Sequence, residues 1–295
     1  MPYINVDEAY ILDNTGLQVD NSVDYANANS NRNLLDNPFF RINQRNVSGT
    51  ITSGYIADRW TLTYGSGGVT ASRTADSITV APVSSSSHGD IAQRMEKDLF
   101  DYLLGKTVTA SVMRSDYSIV SGTFEFVSGT AKTVGTDLDG NLIYFRAYQS
   151  SSYQDAQFWK WNTAGTFRAV KLELGSYSTL INDTPPDYAE ELEKCRFYFR
   201  RYKNLAASAV NALVGGCVLT NVSDYILDGE MRNVAGTTTY SGSITVNGQA
   251  ATNVLTYNRG GQITLRINTG GGLTQYQVAI AAFAAGAYID ISHDL

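Results

Sequence analysis

The most suggestive pair for chemistry in this 295-residue chain is Trp159 and Trp161, within Phe158-Trp159-Lys160-Trp161-Asn162. In a strand, that spacing puts both tryptophans on one face and Phe158 on the other. Indole faces stack on the C–H faces of sugar rings and tolerate varied glycans, so the pair is a candidate binding platform. The same pattern also suits two rings filling the core of a sandwich, and the spacing leaves both readings open. Just upstream, Tyr144, Tyr148 and Tyr153 crowd together with Gln149, Ser150, Ser151, Ser152 and Gln154. Tyrosine beside serine and glutamine is the composition of adaptable binding loops, where rigid rings meet flexible hydrogen-bonding groups. Trp159, Trp161, Tyr148, Tyr153 and Gln154 are therefore the predicted glycan-contact residues.

No catalytic constellation competes with them. A glycosidase needs two carboxylates at a set separation, and Glu125, Asp139, Asp155 and Glu173 have no context that singles out a pair. The only histidines, His88 and His293, lie far apart in sequence, and His88 sits in a serine-rich loop. Thr136-Asp137-Leu138-Asp139-Gly140-Asn141 looks like a calcium loop but lacks the bidentate Glu downstream, so it reads as a plain turn. Asp139-Gly140 is itself a hairpin-turn dipeptide. The chain is expected to be non-enzymatic, with no cofactor and no metal.

The elements that position these residues read as all-β. Charged residues make up 17% of the chain, glycine (26) and tyrosine (19) are abundant and proline is scarce (5), which suits short strands joined by tight turns. A net charge of −6 and pI near 5.0 argue against a nucleic-acid partner and against anionic lipid, both of which call for a basic face. The start of the chain, Met1-Pro2-Tyr3-Ile4-Asn5-Val6, lacks the basic and apolar stretches of a signal peptide. The longest apolar run, Val278 to Ile289, falls short of the ~20 residues a membrane span needs. A soluble product of a cytoplasm is expected. Cys195 and Cys217 read as two buried free thiols.

Four segments follow from the pattern. Residues 1–34, rich in Asn and Asp with Arg32 as their only basic side chain, have too few apolar positions for a core and read as an attachment arm. Residues 35–184 alternate as a jelly-roll β-sandwich, with single strands expected at 55–62 and 166–174, and Trp60 as a core anchor. A short helix or turn is expected near 95–104. Residues 185–203 carry a linker helix from Asp187 to about Tyr202, capped by Asp187 after two prolines and striped by Leu192, Cys195, Phe199 and Tyr202. Residues 204–295 form a C-terminal β-rich module, with hairpins at Asn247-Gly248, Gly260-Gly261 and Gly270-Gly271-Gly272. From Lys203 onward only nine of 93 residues are charged. A β surface so poorly solvated is at risk of edge pairing as a monomer, so packing between identical copies, a trimer first, is expected.

Two long segments carry a family resemblance. One is Asn33-Leu34-Leu35-Asp36-Asn37-Pro38-Phe39-Phe40-Arg41 with Asn43-Gln44-Arg45, followed by Tyr55-Ile56-Ala57-Asp58-Arg59-Trp60. The other is Ala169-Val170-Lys171-Leu172-Glu173-Leu174-Gly175-Ser176, continuing through Pro185-Pro186-Asp187-Tyr188 to Cys195-Arg196-Phe197-Tyr198-Phe199. With weaker matches at Met231-Arg232 and Tyr288 to Leu295, they resemble segments that recur in bacteriophage tail-fibre and other virion-fibre proteins. The resemblance implies a fibre or tail-tip subunit with a carbohydrate-binding-like jelly roll, usually homotrimeric. It places the chain in a virion assembled in the host cytoplasm. The arm would hold other virion proteins, and the sandwich would meet host cell-surface polysaccharide. Weaker readings are a decorating fibre with no receptor role and a polysaccharide depolymerase, although no internal repeat of the β-helix kind is present.

Overall fold

The computed structural model describes residues 31–64, 68–83, 88–161, 163–203, 208–213, 216–219, 237–259, 262–269 and 278–292. The chain divides into two compact units, Met1–Glu191 and Leu192–Leu295. The predicted arm lies outside the described residues except at its end. There Asn31 N donates to Thr179 Oγ1 at 3.0 Å and Asn33 Oδ1 accepts from Leu172 N at 3.2 Å, so 31–34 belong to the sandwich rather than the arm.

In chain order the first unit runs β1 (Thr50–Ile51), β2 (Gly54–Ala57), β3 (Trp60–Tyr64), β4 (Val69–Arg73), β5 (Ile78–Pro82) and β6 (His88–Arg94). Helix α1 (Lys97–Leu103) leads to β7 (Thr107–Met113), β8 (Ile119–Glu125), β9 (Ala131–Thr136), β10 (Leu142–Gln149), β11 (Gln154–Trp161), β12 (Gly165–Phe167) and β13 (Ala169–Leu174). The front sheet has the order β2-β3-β6-β11-β10-β9, all antiparallel. Behind it lie β1-β4-β5-β12 and β13-β7-β8. The predicted strand 166–174 is thus interrupted at Arg168: its first part pairs with β5 and its second with β7, so one chain segment joins the two rear sheets.

The core sits between these layers because alternate positions on each strand are apolar. Ile143, Phe145 and Ala147 of β10, with Ala156 and Phe158 of β11, form one buried cluster with Val108, Ala110 and Val112 of β7 and Val170 and Leu172 of β13. Full burial of such a side chain contributes roughly 1.5–3 kcal/mol. Trp60 is fully buried, as predicted, with Phe40 edge-on at 5.3 Å and its Nε1 donating to the carbonyls of Asn37 and Asp36 at 2.9 and 3.1 Å.

The stretch 55–62 is a hairpin, not one strand: Ala57 pairs with Trp60 across Asp58-Arg59. Arg59 takes φ +72°, and both turn side chains are buried. Asp58 accepts from Gln44 Nε2 (2.7 Å), Gln44 N (3.2 Å) and Arg45 Nη1 (3.3 Å), while Arg59 reaches Asp36 Oδ2 (3.1 Å) and Arg94 O (2.7 Å). The first resembling segment therefore has a structural task, which is to clamp this turn. The second does likewise. Lys171 Nζ donates to Thr179 Oγ1 (2.8 Å) and Asp183 Oδ1 (2.7 Å), and Glu173 accepts from Thr179 N (2.8 Å) and Oγ1 (2.5 Å).

Helix α2 (Tyr188–Arg196) starts as predicted, with Asp187 Oδ1 accepting from Ala189 N (2.8 Å) and Glu190 N (3.2 Å). It ends earlier than predicted. Phe199 and Tyr202 do not continue its stripe but lie on β14 (Phe199–Lys203). Aromatic residues favour the pleated surface, and pairing with β22 (Tyr288–Ser292) fixes the choice: Arg201 meets Asp290 across the ladder with bonds of 2.7 and 2.5 Å. Cys195 is buried and forms no disulfide; the side chain of Cys217 lies outside the described residues.

The second unit holds β14, β17 (Thr237–Ser241) and β22 in a three-stranded sheet. Strands β15 (Ser208–Leu213), β16 (Gly216–Leu219), β18 (Ile244–Val246), β19 (Gln249–Arg259), β20 (Gln262–Thr269) and β21 (Val278–Phe283) pair in a ring, β15-β16-β20-β19-β18-β21 and back to β15. The Asn247-Gly248 hairpin is present, with φ of +48° and +79° at its two residues. The chain is all-β as predicted, a β-sandwich followed by a β-rich module. Met231-Arg232 and Gly270-Gly271-Gly272 lie outside the described residues.

Candidate functional site

The front sheet's core positions leave the intervening ones on its outer face. On β10 these are Tyr144, Arg146 and Tyr148, and on β11 they are Asp155 and Gln157. On β6 they are Asp90, Ala92 and Arg94. Register pairs Arg146 with Gln157, Tyr148 with Asp155, and Asp155 with Arg94. Long polar and aromatic side chains from three adjacent strands are thereby stacked side by side.

They form a closed circuit. Arg146 Nε donates to Gln157 Oε1 at 2.8 Å, and Gln157 Nε2 lies 3.5 Å from Asp155 Oδ2. Asp155 Oδ1 accepts from Arg94 Nη1 at 2.7 Å. The Arg94 guanidinium lies 3.5 Å from the centroid of the Tyr153 ring, which is 5.9 Å from that of Tyr148. Arg146 closes the circuit, 5.6 Å from the Tyr148 ring, and its Nη2 also stands 3.6 Å from Asp90 Oδ2. Such cation–π contacts hold the rings and guanidinia in mutual register.

Although on the outer face, Asp90, Asp155 and Gln157 are buried, while the arginine side chains remain 24% (Arg94) and 29% (Arg146) exposed. Burial pushes the Asp90 carboxyl up to about 7 against the opposing attraction of Arg146. Asp155 is also raised, again because burial outweighs its bonds to Arg94 and Gln157. The result is a flat array of half-buried phenol rings and guanidinia with fixed acceptors beneath.

Of the predicted contacts, Tyr148 and Tyr153 lie in this circuit. Gln154 does not: it is 7% exposed and opposes Gln149 on the parity of the core residues Ala156 and Phe158. Trp159 and Trp161 occupy strand positions of the same parity as Asp155 and Gln157, opposite Asp90 and His88; their side chains lie outside the described residues. Sequence reading missed Asp90, Arg94, Arg146, Asp155 and Gln157 as a group. A signal existed in the alternations Tyr144-x-Arg146-x-Tyr148 and Asp155-x-Gln157-x-Trp159-x-Trp161, which come opposite one another once the two strands pair antiparallel.

The other candidates separate. Glu125 is exposed on an edge strand, Asp139 is exposed in a turn, and Glu173 is committed to Thr179. The Asp139-Gly140 turn is a five-residue loop, 137–141, rather than a two-residue one: Asp137 N donates to Asn141 O at 2.8 Å, and only Gly140 takes positive φ, +83°. Asp137 Oδ1 accepts from Asp139 N and Asn141 N, which makes it the turn's own brace. Among the described residues no group of three His, Cys, Asp or Glu side chains is placed to hold a metal ion, and no helix is long and apolar enough to cross a membrane. Comparison with protein-family models, curated proteins and solved structures gave no match.

Proposed function

We propose that this chain is a structural fibre subunit of a bacteriophage particle, homotrimeric, that binds host surface glycan through the outer face of its front sheet. The observation that carries the glycan reading is the circuit of Arg94, Tyr153, Tyr148 and Arg146 over Asp155 and Gln157. A sugar ring lays its C–H face on the tyrosines, and its hydroxyls exchange hydrogen bonds with the guanidinia. Because these groups already hold one another in place, little side-chain freedom is lost on binding. The virion setting comes from the resemblance of residues 33–45, 55–60 and 169–199 to fibre proteins. Three weak sites on one rigid body would gain affinity through effective concentration.

Binding is favoured over hydrolysis by spacing. Asp90 and Asp155 project from adjacent strands four ladder positions apart, roughly 13 Å at the usual rise per residue. That exceeds the ~5–9.5 Å between the carboxylates of glycosidases. The test is adsorption competition on a susceptible host: excess purified protein should block adsorption of the parent phage, and Arg146→Ala or Tyr153→Ala should relieve the block while leaving the fold intact. Unchanged adsorption in the presence of folded wild-type protein would discard receptor binding in favour of a decorating fibre.

A further inference from the structure

Val170 and Leu172 of β13 face the sandwich core, so Lys171 and Glu173 occupy the strand's other face, with Ser111 and Thr109 opposite them on β7. The free face of an antiparallel sheet is ordinarily wet. Here the chain folds back over it, and Thr179 and Leu180, at the start of the turn Leu180–Asn182, are fully buried. Beneath them the side chains of Lys171 and Glu173 are 0% exposed, and that of Asp183 is 10% exposed. One amine and two carboxylates are thereby shut away from water together.

Their geometry is that of a pair about to react. Lys171 Nζ lies 2.7 Å from Asp183 Oδ1, which puts the carboxyl carbon at most about 4 Å from the nitrogen, one C–O bond further on. Nζ also donates to Thr179 Oγ1 at 2.8 Å, and that hydroxyl donates to Glu173 Oε2 at 2.5 Å. Glu173 Oε2 stands 3.8 Å from Nζ itself, and Oε1 accepts from Thr179 N at 2.8 Å. A proton path from amine to carboxylate is therefore built in and fixed at each atom. Groups held so behave as if at effective concentrations of ~10⁵–10⁸ M. A buried pair must also keep two ions out of water, and an amide in that place replaces both with one neutral bond. Lys97 and Asp101 supply the contrast: they pair on α1 with side chains 64% and 41% exposed, in reach of bulk water.

We propose that the folded chain joins Lys171 to Asp183 by an intramolecular isopeptide bond, with Glu173 as the proton carrier. The Nζ–Cγ bond forms and one Cγ–Oδ bond breaks. Two of the three ammonium protons leave with that oxygen as water, the first passing through Thr179 Oγ1 to Glu173 before its return. The ammonium and carboxylate charges cancel, and no oxidant or other reactant is consumed. The bond ties the end of β13 to the segment ahead of α2, and it is independent of the glycan and virion readings. The test is mass spectrometry of the purified, denatured full chain, which should be lighter than its sequence by one water. Trypsin should leave Lys171 uncut and release residues 169–194 as a single peptide short of a water, with no cross-link between Lys97 and Asp101. Asp183→Asn should lose ammonia in place of water. Glu173→Gln, with its fold verified by circular dichroism, should keep its full mass. A folded wild-type chain at full sequence mass, cut after Lys171, overturns the proposal. So does a loss of water that persists in Lys171→Met, which would place the dehydration in Asp183 alone.

Discussion

Asp90 shows how burial turns one side chain into a pH-sensitive element of this fold. Its carboxyl is raised to about 7, against ~3.9 for an unfolded Asp. Between those values the folded chain keeps a proton that the unfolded chain has released. The associated stability is complete below about pH 4 and lost as pH rises through 7. The change is on the order of a few kcal/mol. Asp90→Asn removes the titration, so its melting temperature relative to wild type should climb steadily from pH 4 to pH 8. Parallel melting curves for the two proteins across that range would show that Asp90 does not titrate this way. The residue was not legible as special in the sequence, because β6, His88-Gly89-Asp90-Ile91-Ala92-Gln93-Arg94, is too polar to read as a central strand. Tyr148 and Tyr153 were legible by composition. Their arginine and carboxylate partners were not, since they come together only when three strands pair in register.

Individual elements here are fastened by buried polar clamps and by glycine notches. Lys171 and Glu173, on alternate positions of β13, are fully buried and joined through Thr179. Lys171→Met strands the Glu173 and Asp183 carboxylates and should cost about 3–5 kcal/mol, read as a shifted midpoint in urea denaturation. At one edge of the sandwich β8 and β9 approach so closely that a Cβ on Gly122 would lie 2.2 Å from Thr133 O. Gly122→Ala should therefore destabilise by about 1–3 kcal/mol, whereas Gly129→Ala meets nothing within 4 Å and pays only for its φ of +83°. Equal losses at the two sites would show that backbone conformation rather than close approach is decisive. The strands β7 and β10 and the start of α2 were legible because apolar alternation and an Asp cap are local signals. The Asp58-Arg59 hairpin was not, for its turn carries neither Gly nor Asn and is held by Gln44, Arg45 and Asp36 from elsewhere. The end of α2 was misread for a related reason: Phe199 to Lys203 keeps a helical stripe in sequence but finds its partner in β22, some ninety residues on.

At the scale of the whole molecule, the proposed function depends on valency. Glycan contacts on an open sheet face are weak individually, and linking sites on one body raises overall affinity by about 10²–10⁴ without any new contact. The sequence supplies a reason for copies to associate: only nine charges in the last 93 residues leave a β-rich module with little solvating surface. Sedimentation equilibrium at micromolar concentration should accordingly give a mass about three times the 32.1 kDa of one chain. Valency and site chemistry then separate in one experiment. A charged substitution that makes the assembly monomeric without unfolding it should leave the affinity for a short soluble glycan unchanged and reduce adsorption competition at least tenfold. If a folded monomer competes as well as the assembled protein, avidity has no part in binding, and each front-sheet circuit must bind strongly by itself. A wild-type chain that remains monomeric at every concentration would remove the trimer altogether and shift the question to what else covers the weakly charged module.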